Sequence, residues 1–268
     1  MNPEHTNLLY FSPTSTTQTI IKEIAKGIGK NVSSALDITK PEIRNLSAPE
    51  FVDDLVLIGA PVYGGRLPKD AADYFKAIKT SGSLAVLIVV YGNREFEDAL
   101  IELKNIAMDC GFIPLAAAAF IGEHSFSNNE FSIAMNRPDK KDLEKAFAFG
   151  KQIKNLLGQF KNPADLAPVD VPGNFPYKEG KQLGPLSFID VTDDCDSCGI
   201  CITACPKNAI DETDTYATIE KDCIFCCACI KACPQQARII KTGPIKDKAK
   251  WLSENYALRK EPQTFLAG

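Results

Sequence analysis

The chain has 268 residues and a formal net charge of −4 at neutral pH. This length suits one domain of average size together with a smaller one. The acidic balance, without a long basic stretch, argues against binding to nucleic acid. No apolar run approaches the ~20 residues that span a bilayer, and the N-terminus MNPEHTNLLYF lacks the character of a signal peptide. The sequence thus predicts a soluble, cytoplasmic protein.

Residues 1–160 alternate short apolar runs with segments of helical periodicity. The predicted strands are Asn7–Phe11, Val32–Ile38, Leu55–Gly59, Leu84–Tyr91 and Phe112–Ile121. The predicted helices are Ser15–Ile28, Pro68–Ile78, Glu95–Cys110 and Lys140–Phe160. Such alternation gives a parallel sheet that helices cover on both faces. We predict an α/β domain whose doubly wound, five-stranded sheet has the order 2-1-3-4-5.

The rest of the chain divides into three predicted parts. Residues 161–187 are rich in proline, glycine and polar residues, which indicates a linker or an extended arm that lies against one domain. A small cysteine-rich domain follows at 188–243. Residues 244–268 form a tail with one predicted helix, Lys246–Leu258, whose apolar side chains favour packing on the body of the protein.

Two runs of cysteines share the spacing C-x2-C-x2-C-x3-C-P. The first consists of Cys195, Cys198, Cys201 and Cys205, and the second of Cys223, Cys226, Cys229 and Cys233. This spacing is typical of paired 4Fe–4S clusters, in which the fourth cysteine of each run binds the other cluster. We therefore predict cluster I on Cys195, Cys198, Cys201 and Cys233, and cluster II on Cys223, Cys226, Cys229 and Cys205.

Zinc sites and disulfides are alternative interpretations of the cysteines. Structural zinc sites usually combine two C-x2-C pairs across a longer spacer, which fits these runs less well. Disulfides suit exported proteins, and no export signal is visible. Cys227 adjoins Cys226 but has the wrong spacing for a ligand, which favours a small packed thiol. Cys110 lies near the end of a predicted helix, as core cysteines often do.

The loops that follow the predicted strands indicate a second site, because doubly wound sheets bind ligands at the carboxyl ends of their strands. The first loop contains several hydroxyl side chains before a helix, which suits a phosphate. The same residues also suit a helix N-cap, and the first loop alone does not decide between the two. The next loops supply Pro61-Val62-Tyr63-Gly64-Gly65, Tyr91-Gly92-Asn93-Arg94 and Gly122-Glu123-His124-Ser125. An aromatic beside glycines can stack on a flat ring.

The serine and threonine loop, P-V-Y-G-G and Y-G-N-R together resemble flavodoxins, and more closely the flavodoxin–ferredoxin fusion proteins of anaerobes. The resemblance covers nearly the whole chain and implies a flavodoxin-like domain followed by an α+β ferredoxin-like domain with two 4Fe–4S clusters. It implies FMN, with its phosphate held by Ser12, Thr14, Ser15, Thr16 and Thr17. It also implies a flavin ring between Pro61, Val62, Tyr63, Gly64, Gly65, Tyr91, Gly92, Asn93, Arg94 and Phe96, with Tyr63 the best stacking candidate.

Two features leave the flavin site open to question. Ser15 stands where flavodoxins usually carry glycine, so a positive φ at this position would cost roughly 1 kcal/mol. His124 more often caps or packs in such a loop than reacts, and its role is left open.

The two predicted sites together favour an electron carrier that passes electrons between the clusters and FMN. The alternative is an FMN- and iron–sulfur-dependent oxidoreductase that reduces a small organic or quinone substrate. The acidic chain predicts redox protein partners that dock through basic patches. Whether FMN faces the clusters of its own chain or those of a second chain in a homodimer is left open, as are the potentials and the direction of flow.

Overall fold

The computed structural model describes residues 3–160, 166–179 and 184–268. Its first part contains the strands β1 Thr6–Tyr10, β2 Val32–Asp37, β3 Glu50–Val52, β4 Leu55–Pro61, β5 Lys79–Ser81, β6 Leu84–Tyr91 and β7 Ile113–Ile121. Its helices are α1 Thr16–Ile28, α2 Pro41–Arg44, α3 Lys69–Lys76, α4 Ala99–Asp109 and α5 Lys140–Gln159. The predicted strands and helices of this part are therefore present, with α2 and the short β3–β5 pair in addition.

The main sheet has the order β2-β1-β4-β6-β7, and these five strands are parallel. This is the predicted order 2-1-3-4-5, so the α/β prediction is confirmed. The central strands β4 and β6 are almost entirely buried, since helices cover both faces of the sheet. The carboxyl ends of the strands meet at one edge, where the loops of the candidate site lie.

The second part is small and made of short elements. They are β8 Ile189–Val191, α6 Ile200–Ala204, β9 Ile210–Asp211, β10 Ala217–Thr218, a 3₁₀ turn at Glu220–Asp222, α7 Ala228–Lys231 and β11 Arg238–Ile240. β11 pairs with β8 and β10 with β9, both antiparallel. The arrangement is the small α+β domain that the sequence predicts.

The C-terminal tail returns to the first part of the chain. After α8 Pro244–Asn255, the strand β12 Gln263–Leu266 pairs antiparallel with β7 and becomes the sixth strand of the main sheet. The sequence analysis predicted the helix but not this strand. β12 covers the edge of β7, which would otherwise expose unpaired backbone groups.

The described part of the proline-rich segment lies against the first part of the chain. Val169 and Val171 are buried in the core of the large domain. The backbone N–H groups of Asn174 and Lys178 donate to the Asp98 carboxylate at 2.8 and 2.7 Å. The described residues of the segment thus form an extended arm, whereas residues 161–165 and 180–183 lie outside the described part of the chain.

Candidate flavin and cluster sites

The loop between β1 and α1 has the geometry of an anion site. Ser12 is buried, and its hydroxyl oxygen accepts a hydrogen bond of 3.0 Å from the backbone N–H of Gln18. The first N–H groups of any helix lack intrahelical partners, and they carry partial positive charge. Thr14 and Thr16 are half-buried beside them. These groups together offer neutral donors to an anion without a lysine or arginine in the loop.

Two residues of this loop have unusual local environments. Thr17 is buried, and its hydroxyl oxygen has no hydrogen-bond partner. A buried unsatisfied hydroxyl is costly, and a phosphate would satisfy it. Ser15 precedes α1 with φ 63° and ψ −1°, which is the left-handed region. Serine is strained there, so the positive φ considered in the sequence analysis is present.

The loop after β4 places an aromatic side chain at the same edge. Tyr63 and Arg66 exchange backbone hydrogen bonds of 2.9 and 3.2 Å. Between them Gly64 and Gly65 have φ values of 62° and 86°, as a type I′ turn requires. A Cβ on Gly65 would collide with the Glu97 side chain, which is a second reason for glycine. Pro61 and Val62 lead into this turn and are half-buried.

The loop after β6 is less available to a ligand than its sequence suggests. Tyr91 and Phe96 are buried, and their ring centroids lie 5.4 Å apart, so they pack on each other. Burial, with Glu95 nearby, raises the pKa of Tyr91 to about 12. Arg94 forms an ion pair of 2.6 Å with Glu97. Tyr63 is therefore the better candidate to stack on a flat ring.

Asn93 connects the β6 loop to the C-terminal tail. It is buried with a φ of 63°, and its side-chain amide donates to the carbonyl oxygens of Tyr256 and Leu258 at 2.6 and 2.9 Å. The ammonium group of Lys260 donates to the carbonyl of Arg94 at 2.5 Å. The tail thus holds the backbone of this loop in place, which the sequence analysis did not anticipate.

His124 follows β7 and closes the same edge. A Cβ on Gly92 would overlap the His124 ring, and a Cβ on Gly122 would lie 2.9 Å from Thr16, so all these loops are in close contact. Nδ1 of His124 accepts a hydrogen bond of 3.0 Å from the N–H of Phe126. Burial lowers the pKa of His124 to about 4, and the cations of Lys231, Arg94 and Lys248 add to the effect. His124 is therefore a neutral packing residue at neutral pH.

The cysteine runs form two copies of one backbone pattern. Positive φ values occur two, four and thirteen residues after the first cysteine of each run. They fall at Ser197, Gly199 and Asn208 in the first copy, and at Phe225, Cys227 and Gln236 in the second. Both α6 and α7 begin five residues after that cysteine. Cys227 thus occupies the position of Gly199, outside the ligand positions of the repeat.

The second cysteine run lies against Cys205, the fourth cysteine of the first run. One pocket is lined by Cys205, Cys223, Cys226 and Cys229, together with Cys227 and several apolar side chains. These four are the residues predicted to bind cluster II. The backbone N–H of Ala209 donates to the Cys205 sulfur at 3.2 Å, a contact that suits a thiolate ligand. The residues present therefore fit a cluster with one ligand exchanged between runs.

All ten cysteines are free thiols, in keeping with a metal-binding rather than a disulfide framework. No three His, Cys, Asp or Glu side chains of the described residues converge on a point where a single ion would bind. A cubane attaches its four thiolates to four different irons, so it does not require that convergence. Burial raises the pKa of Cys223 to about 11, and a bound metal would offset this cost by stabilising the thiolate.

The cluster II segment lies directly beside the candidate flavin edge. Burial raises the pKa of Tyr63 well above its usual value, and the nearby thiols of Cys226, Cys227 and Cys223 raise it further. Ile224, within the same cysteine run, packs against the core of the large domain. The second cysteine run and the large domain that carries the candidate flavin loops are thus packed together within one chain.

Polar contacts fix this arrangement on two sides. On one, Arg44 donates to the carbonyl of Pro206 at 2.6 Å, and Lys207 pairs with Asp70 at 2.8 Å. On the other, Lys231 pairs with Glu123, and Lys246 with Glu130 at 2.8 Å. A second apolar cluster joins the parts as well, because it combines Phe126 and Ile133 with Phe188, Ile189, Ile210, Ile245 and Leu252.

One family model matches part of the small domain. Residues 189–211 match the family described as 4Fe-4S binding domain, and this segment carries all four cysteines of the first run. The match supports an iron–sulfur cluster in the small domain. The search of curated proteins gave no match. No helix among the described residues is long and apolar enough to cross a membrane.

The first part of the chain is similar to solved flavodoxin structures. An archaeal flavodoxin is 12% identical, with 58% of this chain and 99% of that protein covered and a TM-score of 0.37. Fusobacterium nucleatum flavodoxin bound to flavin mononucleotide is 16% identical, covering 56% and 97%, with a TM-score of 0.39. The Flv1 flavodiiron core from Synechocystis sp. PCC6803 is 19% identical, covering 59% and 36%, with a TM-score of 0.41.

Proposed function

We propose that this protein transfers electrons between two 4Fe–4S clusters and one FMN, all held by a single chain. Such clusters exchange single electrons and FMN takes one or two, so the pair can link one-electron partners to a flavin. The observation that carries the proposal is the packing of the second cysteine run on the large domain, where Ile224 contacts the core and Lys231 pairs with Glu123 in the loop after β7.

The chain's own residues would hold FMN at the carboxyl edge of the main sheet. Hydroxyl and amide donors at the start of α1 would bind the phosphate through Ser12, Thr14, Ser15, Thr16 and Thr17. The loops Pro61–Gly65 and Tyr91–Arg94 would enclose the ring, with Tyr63 stacked on it. Phe96 would support the ring site indirectly, since it packs on Tyr91. His124 stays neutral there and adds no charge next to the ring.

The positions of the cysteines would place the two clusters in sequence along one path of electron transfer. Cluster II, on Cys223, Cys226, Cys229 and Cys205, would lie on the flavin side because Ile224 of the second run packs on the large domain and Lys231 pairs with Glu123 in the loop after β7. Cluster I, on Cys195, Cys198, Cys201 and Cys233, would face outward because Cys198 is exposed. The shared ligands tie both clusters to one small domain. The chain thereby replaces diffusional encounters between separate carriers with contact inside one molecule.

The surface around cluster I supports a docking site for a positively charged redox partner. Asp193, Asp194 and Asp196 are exposed near Cys198, and the apolar side chain of Ile200 is 41% exposed beside them. Complementary charge guides encounter and orientation between redox proteins. We therefore place the entry or exit of electrons at this surface.

Anaerobic reconstitution with iron, sulfide and FMN tests the proposal. The loaded protein is titrated stepwise with dithionite and followed by visible and EPR spectroscopy. The proposal predicts bound iron, acid-labile sulfide and FMN in one protein, with reducing equivalents taken up one at a time. Binding of zinc in place of iron, or a flavin that takes both electrons in a single step, would contradict it. The second result would point to the reduction of a small substrate.

A further inference from the structure

Arg238 is a buried arginine of the small domain that carries both cysteine runs. It begins β11, opposite Val191 of β8, and is 2% exposed. Its guanidinium donates to the carbonyl of Tyr216 at 2.5 Å and to the hydroxyl of Thr218 at 2.7 Å. These two acceptors lie just before β10 and within it, so they fix the head group inside the small domain.

The charge of Arg238 has no protein counterpart in the described structure. Both of its acceptors are neutral, none of the ion pairs among the described residues involves Arg238, and its Nε–H is buried without a partner. Burying a charged group without compensation is costly, so such a group needs an anion nearby. The described residues supply no carboxylate for this role, and the Nε–H remains without an acceptor.

The only large negative charges expected nearby are those of the clusters. Thr218, whose hydroxyl accepts from Arg238, lines the same pocket as Cys205, Cys223, Cys226 and Cys229, the residues assigned to cluster II. Tyr216, whose carbonyl accepts from Arg238, donates its own hydroxyl to the carbonyl of Ser197 at 2.9 Å, between Cys195 and Cys198 of cluster I. The two acceptors that hold the guanidinium thus adjoin the ligand segments of both clusters.

We propose that Arg238 is the buried counter-charge of both clusters and sets their reduction potentials, an inference that rests on the function proposed above. A cluster that accepts one electron from an external one-electron donor gains one negative charge. A fixed cation in a low-dielectric interior stabilises that added charge more strongly than a surface cation does. The arginine thus raises the reduction potential of each cluster.

The test compares four variants of the fully loaded protein by EPR-monitored redox titration. Arg238→Met and Arg238→Gln remove the charge, and glutamine keeps a polar group towards Tyr216 and Thr218. Arg238→Lys keeps the charge. Lys241→Met is the matched control, because it removes a cation just past β11 whose ammonium is partly exposed and pairs with Asp190 at 3.6 Å.

Loss of the buried charge is expected to lower the ratio of reduced to oxidised cluster at least tenfold at a fixed solution potential. For one electron this corresponds to a shift of 59 mV to more negative potential. Arg238→Lys is expected to retain most of the wild-type ratio, and Lys241→Met nearly all of it, because solvent screens an exposed charge.

Loaded Arg238→Met or Arg238→Gln with wild-type potentials would overturn the inference. If both fail to bind iron while Arg238→Lys binds it, the need for a positive charge is supported. If Arg238→Lys also fails to bind iron, the residue acts through its shape and the inference is overturned. A wild-type protein that binds no iron would instead refute the proposed function, so the two failures are distinguishable.

Discussion

The side-chain amide of Asn93 donates a hydrogen bond of 2.6 Å to the backbone carbonyl of Tyr256, 163 residues further along the chain. This contact joins a loop of the candidate flavin site to the C-terminal tail. β12 then anchors the tail on β7. The tail and helix α8 are thus connected to this loop of the candidate flavin site, although the tail contributes no residue of its sequence motifs.

Asn93 is expected to strengthen FMN binding indirectly, through its hydrogen bonds to the C-terminal tail. Asn93→Asp keeps a side chain that tolerates positive φ but replaces the amide donor with a carboxylate next to two carbonyl oxygens. We expect FMN to bind about tenfold more weakly, which corresponds to about 1.4 kcal/mol. Fluorescence titration of the protein with FMN measures this. Asn255→Asp is the control, because Asn255 makes a comparable bond to Trp251 on an exposed helix.

A double-mutant cycle separates this role from direct contact with the flavin. Truncation after Asn255 removes the two carbonyl acceptors of Asn93. If Asn93 acts through the tail, Asn93→Asp should have little further effect on FMN affinity in the truncated protein. Fully additive effects would show that the Asn93 side chain touches FMN itself.

Two substitutions of Ser15 separate the backbone strain at this position from the role of its hydroxyl in binding phosphate. Its φ of 63° favours glycine, whereas alanine keeps the strain without the hydroxyl. The free energy of unfolding of Ser15→Gly is therefore expected to be about 1 kcal/mol higher than that of Ser15→Ala. Urea denaturation of both variants measures this difference. Equal stabilities would argue against the left-handed conformation. If the hydroxyl binds the phosphate, both variants should lose FMN affinity relative to wild type.

Cys205 tests the exchange of ligands between the two runs. It shares a pocket with Cys223, Cys226 and Cys229, so Cys205→Ser should damage cluster II and leave cluster I intact. The variant is expected to retain about half of the wild-type iron after anaerobic reconstitution, with the EPR signal of one cluster lost. Cys227→Ser is the control and should keep all of the iron. Loss of iron from Cys227→Ser instead would make Cys227 a ligand.

His124 should remain neutral well below its ordinary range. The chain has two histidines, so in a His5→Gln variant the single imidazole signal in a proton NMR titration belongs to His124. Its midpoint is expected at about 4 rather than 6.5. Between these values the unfolded chain binds a proton that the folded one excludes, so the free energy of unfolding should rise as pH increases from about 4 to 6.5. A midpoint near 6.5 would place His124 in solvent.

Local patterns made much of this structure predictable. The run Leu84–Tyr91 is apolar throughout and forms a fully buried strand. Strand order then placed the loops after β1, β4, β6 and β7 at a common edge, because parallel strands direct their carboxyl ends to the same side of a sheet. The spacing of the cysteines within each run is local, and the exchange of the fourth ligand that is typical of paired clusters then grouped Cys205 with the second run, with which it shares a pocket.

Features that depend on distant parts of the chain were not visible. β12 is short and mostly exposed, and only its pairing with Ala116–Ala119 of β7 makes it a strand. Arg238 has the sequence context of a surface residue, yet the fold buries it between Tyr216 and Thr218. Asn93 was assigned to the flavin from its motif, whereas its side chain bonds to the tail. Each of these depends on contacts that no local sequence pattern encodes.

The central claim is that cluster II and FMN of the same chain exchange electrons beside Tyr63. Flash photolysis of the loaded protein with a photogenerated one-electron reductant, followed at the flavin absorbance over a tenfold range of protein concentration, tests it most directly. Electron exchange within one chain predicts that the rate of the cluster-to-flavin phase is independent of protein concentration and that Cys226→Ser abolishes this phase. A rate that increases in proportion to protein concentration would mean that the clusters of a second molecule serve the flavin, and would contradict the claim.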